Sequence, residues 1–150
     1  MLNPYNDEFF MKEALKEARK AAEQDEVPVG AVVVAANTVI ARAHNMTEKL
    51  NDVTAHAEML AITAAANHLG AKYLTDCKIY ITLEPCAMCA SALSWAQVGE
   101  VIWGASDPQK GFLRCNMPML HPKTKTQSGI MAEESSALLR EFFAKKRKKG

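Results

Sequence analysis

Two short segments, Thr54-Ala55-His56-Ala57-Glu58 and Leu83-Glu84-Pro85-Cys86-Ala87-Met88-Cys89, constrain the fold of this 150-residue chain more than any other feature. Together they offer one imidazole, two thiols and a free carboxylate. A catalytic zinc site uses that set when three protein ligands leave the fourth position to water. The fold must then carry segments about thirty residues apart onto one ion. Cys86 and Cys89 are three apart, so a helix beginning at or near Pro85 places both sulfurs on one face of its first turn. Proline at the first helical residue gives up only an amide that has no partner there. The positive end of the helix dipole also lowers a thiol pKa from its free value of about 8.5. His56 heads a second apolar run, Ala57 to Leu69, with Thr54 as the expected N-cap. Two helix N-termini are thus expected to face one zinc ion per chain.

Glu58 lies two residues beyond His56, an offset that in a regular helix turns it away from the ligand's direction and out of the coordination sphere. At a helix's first turn its carboxylate can still reach the zinc-held water, as general base and then general acid. Water on zinc ionises near pH ~7 instead of ~15.7, so the expected chemistry is hydrolytic.

The remaining elements follow from periodicity. Asn6 to about Gln24 carries Phe10, Met11, Ala14, Leu15, Ala18, Ala21 and Ala22 at helical spacing. Val29 to Ala35 is a β-branched run and Val39 to Ala43 a second. With Ala36-Asn37-Thr38 as the turn they predict a hairpin whose first strand is buried on both faces. Ala57 to Leu69 is so rich in small and apolar residues that it predicts a helix buried most of the way round and stopped by Gly70. Strands at Lys78 to Leu83 and Val101 to Gly104 bracket a helix from Cys86 to Gln97, and Ala132 to Lys149 is helical. Phe112 to Thr126 shows no pattern. The order predicts an α/β fold: a three-layer α/β/α domain over residues 1–150, with a mixed central sheet of about five strands and helices on both faces.

His-x-Glu followed by Pro-Cys-x-x-Cys is the arrangement of zinc nucleobase deaminases. Val27-Pro28-Val29-Gly30, Asn45, the two ligand segments, Gly104-Ala105-Ser106-Asp107 and Gly129-Ile130-Met131-Ala132-Glu133-Glu134 extend the match. Over roughly residues 6 to 147 the chain resembles the bacterial tRNA adenosine deaminases. The resemblance implies conversion of the wobble adenosine of a tRNA anticodon to inosine. Zinc-held hydroxide would attack C6, with Glu58 passing protons. It implies His56, Cys86 and Cys89 as ligands, Asn45, Asp107, Pro28, Ala55 and Glu84 as substrate-binding residues, the anticodon stem-loop as partner, and a homodimer. Read as residues alone, Asn45 and Asp107 are turn formers.

Composition bears on partners and compartment. Lys145, Lys146, Arg147, Lys148 and Lys149 are all basic, and setting them aside leaves 13 basic against 17 acidic residues, a body near −4. A charge run is a solvated helix end or, as the resemblance implies, an RNA-backbone contact. No apolar run has transmembrane length and the N-terminus is polar, so a cytoplasmic protein with no membrane association is expected. Cys77 reads as a small buried hydrophobe, and Cys115 would compete with a three-ligand site.

Two alternatives stand beside the tRNA reading. The same site would serve a small free base such as guanine or cytosine. Where the tRNA enzymes carry a Ser-Arg pair after the catalytic helix, this chain has Ala96-Gln97 after Trp95, which is more like the guanine deaminases. A structural zinc module that binds RNA without reaction would need a fourth protein ligand, and none is well placed.

Overall fold

Alternation along one strand decides the layering. The computed structural model describes residues 4–149, the last by its backbone alone. In β1 (Gly30–Ala35), Ala31 and Val33 point to one face of the sheet and Val32 and Val34 to the other, and all four are buried. The first pair joins Ile79 and Ile81 of β3 (Lys78–Leu83) and Val101 and Trp103 of β4 (Glu100–Ala105). Ala57, Ala61 and Ala65 of α2 (Ala57–Leu69) and Ala90 and Leu93 of α3 (Ala87–Ala96) cover them. The second pair joins Tyr80 and Ile102 under Phe10, Met11 and Ala14 of α1 (Asp7–Glu23). On that face α4 (Ala132–Lys149) lies beside α1 and packs on β3 and β4. Strand β1 therefore has a core on each side, and the expected three-layer α/β/α architecture is present.

Completed by β2 (Thr38–His44) and β5 (Lys125–Gln127), the sheet runs β2-β1-β3-β4-β5. The pairs of β1 with β2 and β3 are antiparallel, and those of β4 with β3 and β5 are parallel. The hairpin turn is two residues long. Ala36 and Asn37 both have positive φ, 49° and 61°, as a tight hairpin between twisted strands requires, and Thr38 pairs with Ala35. The register shifts between Val33 and Val34, where β2 has one residue more than β1. Asn6 caps α1 by accepting the Phe9 amide, 2.8 Å away. Gly70, left-handed at φ 64°, ends α2 as expected.

Three details differ from the sequence reading. α2 is buried along one stripe only, because α3 and the sheet cover one side, and Thr63, Ala64, Asn67 and His68 face outward. β5 straddles the end of the stretch without a readable pattern, Phe112 to Thr126. It is a three-residue edge strand exposed throughout, so burial imposes no alternation on its side chains. α3 begins at Ala87, one residue after the expected Cys86. Cys86 bridges Gly111 and the Pro85 carbonyl accepts the Phe112 amide at 2.9 Å, which keeps Pro85 and Cys86 extended.

β3 and β4 end where β1 begins, since Leu83 pairs with Ala105 and Ala31 with Ile81. The starts of α2 and α3 follow the ends of β2 and β3, so the two ligand segments meet at this end of the sheet.

Candidate active site

Each ligand sits at a helix start. Cys86 is the N-cap residue of α3 and His56 that of α2, and neither side chain caps its helix. Thr54 does not cap α2, because its amide and hydroxyl both donate to Asp52 Oδ1, at 2.8 and 2.7 Å. Freed from capping, the His56 ring turns its Nδ1 toward the two sulfurs, 3.7 Å from Cys86 and 3.4 Å from Cys89. Tetrahedral zinc with bonds of ~2.3 Å to sulfur and ~2.05 Å to nitrogen separates such atoms by about 3.6 Å. One nitrogen and two sulfurs lying within 4.8 Å of one another thus fit the ion in number, chemistry and spacing. Cys77 is buried elsewhere and Cys115 is half-buried, and neither joins the group.

The protonation states lean the same way. A hydrogen bond from Cys89 and a second from His56 push the Cys86 thiol down to about 3, against its burial. The same bond to Cys86, reinforced by burial, holds the proton on Cys89. His56 is raised by its hydrogen bond to Cys86. The triad is a thiolate beside protons that a cation would displace.

Glu58, in the first turn of α2, is 4% exposed, and burial pushes its carboxyl up to about 7. It lines a cavity of about 480 Å³ together with His56 and Cys86. That volume lies within the ~300–1,000 Å³ range of small-molecule sites. Asn45 reaches the same cavity. Its Nδ2 donates to the Val27 carbonyl at 3.4 Å, while its buried Oδ1 accepts nothing among the described residues. An orphaned acceptor in a cavity wall suits a ligand that brings an N–H or O–H.

The other expected residues are placed as follows. Glu84 and Asp107 line the cavity, but both are engaged locally. Glu84 accepts the Asp107 and Leu113 amides, each at 3.0 Å. Asp107 Oδ1 accepts the amides of Gln109 and Lys110, at 3.3 and 3.1 Å. Pro28 is buried between the lining residues Val27 and Val29, and Ala55 is buried just before His56. Among the described residues, none of the basic tail lines this cavity. Lys145 pairs with Glu141 at 3.6 Å and Lys146 with Asp25 at 2.7 Å, whereas Arg147 and Lys148 are exposed. The side chain of Lys149 lies outside the described residues. Sequence reasoning missed Lys110, inside a loop composition, and Phe143, inside a segment read only as helical. Phe143 is 44% exposed and forms a wall of the cavity.

The match to known proteins agrees with this geometry. The family described as the cytidine and deoxycytidylate deaminase zinc-binding region matches residues 4–105, which defines the class as a zinc-dependent deaminase. The tRNA-specific adenosine deaminase of Agrobacterium fabrum is 46% identical over 143 residues, covering 92% of this chain and 94% of that one. A solved structure from a study of A-to-I editing by tRNA:A34 deaminases at the wobble position of transfer RNA superposes with a TM-score of 0.82. It is 45% identical and covers 87% of this chain and 98% of that one. The guanine deaminase of Bacillus subtilis is 40% identical with a TM-score of 0.65, covering 67% of this chain and 65% of that one. The chain belongs to the tRNA-specific adenosine deaminase family.

Proposed function

We propose that this protein hydrolytically deaminates the wobble adenosine of a tRNA anticodon to inosine. Near-complete coverage in both directions at 46% identity to a tRNA-specific adenosine deaminase carries this reading. Zinc, when bound by His56, Cys86 and Cys89, supplies a Lewis acid that ionises water near neutral pH. Glu58 takes one proton of the attacking water and delivers it to N1 of the purine as the C6–O bond forms, then carries the second from the new hydroxyl to the amino nitrogen, so that the C6–N bond breaks and ammonia leaves. The open Asn45 acceptor orients the nucleoside, and Phe143 with the buried walls excludes water from the reacting carbon. Anticodon-loop bases are largely unstacked, so extruding one costs little.

A second reading, deamination of a free nucleobase, draws on the likeness to guanine deaminase and on Trp95-Ala96-Gln97. That likeness covers only 67% of the chain, and Trp95 is 83% exposed and does not line the cavity. Incubating the zinc-loaded protein with a wobble-adenosine stem-loop, and in parallel with guanine, cytosine, cytidine and adenosine, separates the two. Inosine from the stem-loop alone supports the tRNA reading, whereas deamination of a free base with the stem-loop untouched replaces it.

The same reading makes the protein a homodimer working in the cytoplasm, with Arg147 and Lys148 available to RNA phosphates. Among the described residues no helix is long and apolar enough to cross a membrane. Exposed Trp95 and Val53 supply apolar surface for a second copy to cover. Sedimentation at micromolar concentration should give twice the chain mass, and a monomer would end the dimer reading.

A further inference from the structure

Two buried carboxylates beside the cavity have no part in metal binding or proton transfer. Glu26, in the α1–β1 connection, is 1% exposed, and Glu84, in the β3–α3 connection, is 5% exposed. Among the described residues neither forms an ion pair. Burying a carboxylate without a cation is costly unless hydrogen bonds satisfy it. Both are satisfied in the same way, each by two backbone amides of a distant loop. Glu26 accepts from Glu48 at 3.0 Å and Lys49 at 2.7 Å, and Glu84 from Asp107 and Leu113, each at 3.0 Å. The second loop is packed against its acid, because a methyl group at Gly111 would run into the Glu84 carboxyl.

These are the loops that frame the cavity. The β2–α2 loop brings Asn45 and Thr47 from one side, and the loop after β4 brings Ser106, Asp107 and Lys110 from the other. We propose that Glu26 and Glu84 are a pair of positioning residues for the deaminase. Each is a buried anionic clamp that fixes one loop, and together they set the separation of the walls between which the target nucleotide seats. Glu84 thus acts on the substrate through the loop it holds. This inference rests on the deaminase reading above.

Glu26→Gln and Glu84→Gln test it, since the amide keeps the volume but turns one acceptor into a donor facing a backbone N–H. Wild-type protein must first convert the stem-loop, and its failure would count against the substrate reading rather than this one. Each variant should raise KM for the stem-loop about tenfold with kcat within about threefold of wild type, and the double variant about a hundredfold. Zinc should stay at one per chain. Hydrogen exchange should quicken at Asp107 and Leu113 only in Glu84→Gln, and at Glu48 and Lys49 only in Glu26→Gln. Quickened exchange with unchanged KM, or unchanged exchange, would overturn the proposal, as would loss of zinc together with activity. Should the Gln variants fail to fold, Glu26→Asp and Glu84→Asp keep the charge at shorter reach. They should show the same rise in KM, and their failure to fold would make both residues structural and end the proposal.

Discussion

Glu58 is the residue whose chemistry and position separate most cleanly. It stands two residues from a ligand, and burial holds its proton near neutral pH. Glu58→Gln keeps the shape and loses the proton exchange. Metal analysis should still find one zinc per chain while kcat falls by about 10²–10⁴. Near-full activity would remove Glu58 from the mechanism. His56, Glu58, Cys86 and Cys89 were legible in the sequence because zinc chemistry demands those residue types at short spacing. Glu26 was not, since the groups it holds are backbone amides of Glu48 and Lys49, which leave no mark on residue type. Asn45 was legible only through resemblance. What supports its proposed role is an acceptor without a partner among the described residues, which a sequence does not display.

Among the elements, the hairpin and the contact of α1 with β2 carry separate consequences. Ala36 holds φ 49°, a left-handed conformation that costs a residue bearing a Cβ about 1–2 kcal/mol. Ala36→Gly relieves that strain and adds unfolded-state entropy worth about 0.5–1 kcal/mol. The net gain is a few tenths to about 1 kcal/mol, visible as a higher denaturation midpoint. On α1, hydrogen bonds from Lys16 and then Arg42 hold Glu13 below the ordinary glutamate range. Burial pushes Glu17 up, but bonds from Lys20 and Arg42 outweigh it and leave it low as well. Carboxylates depressed in the folded state stabilise it above their unfolded pKa of about 4.3. That contribution disappears as pH falls through the lower folded values. A stability profile of Glu17→Gln should therefore be flatter than wild type below pH ~4.3. The two-face burial of β1 was readable because it needs an unbroken run without polar residues, here rich in valine. The start of α3 was misplaced by one residue because the contact that delays it, Cys86 with Gly111, spans 25 positions. β5 was invisible for a different reason, as an exposed edge strand leaves residue choice free.

At the scale of the whole molecule, charge is divided between a body near −4 and a basic end. Lys146 already pairs with Asp25 at 2.7 Å, so the RNA-backbone contact proposed for the tail falls to its neighbours. Replacing Lys145, Arg147 and Lys148 together by Gln should raise KM for the stem-loop. The slope of log KM against log salt should shrink by about 0.7 per lost phosphate contact, with zinc content unchanged. An unchanged slope would make the tail a solvated helix end. Chelation should abolish turnover and added zinc restore it. The metal's ligands come from the starts of two helices about thirty residues apart in the chain, so the ion records an event of tertiary assembly. Seated there in place of zinc, cobalt would absorb visible light only while α2 and α3 are docked, and the colour of the protein would follow its folding in real time.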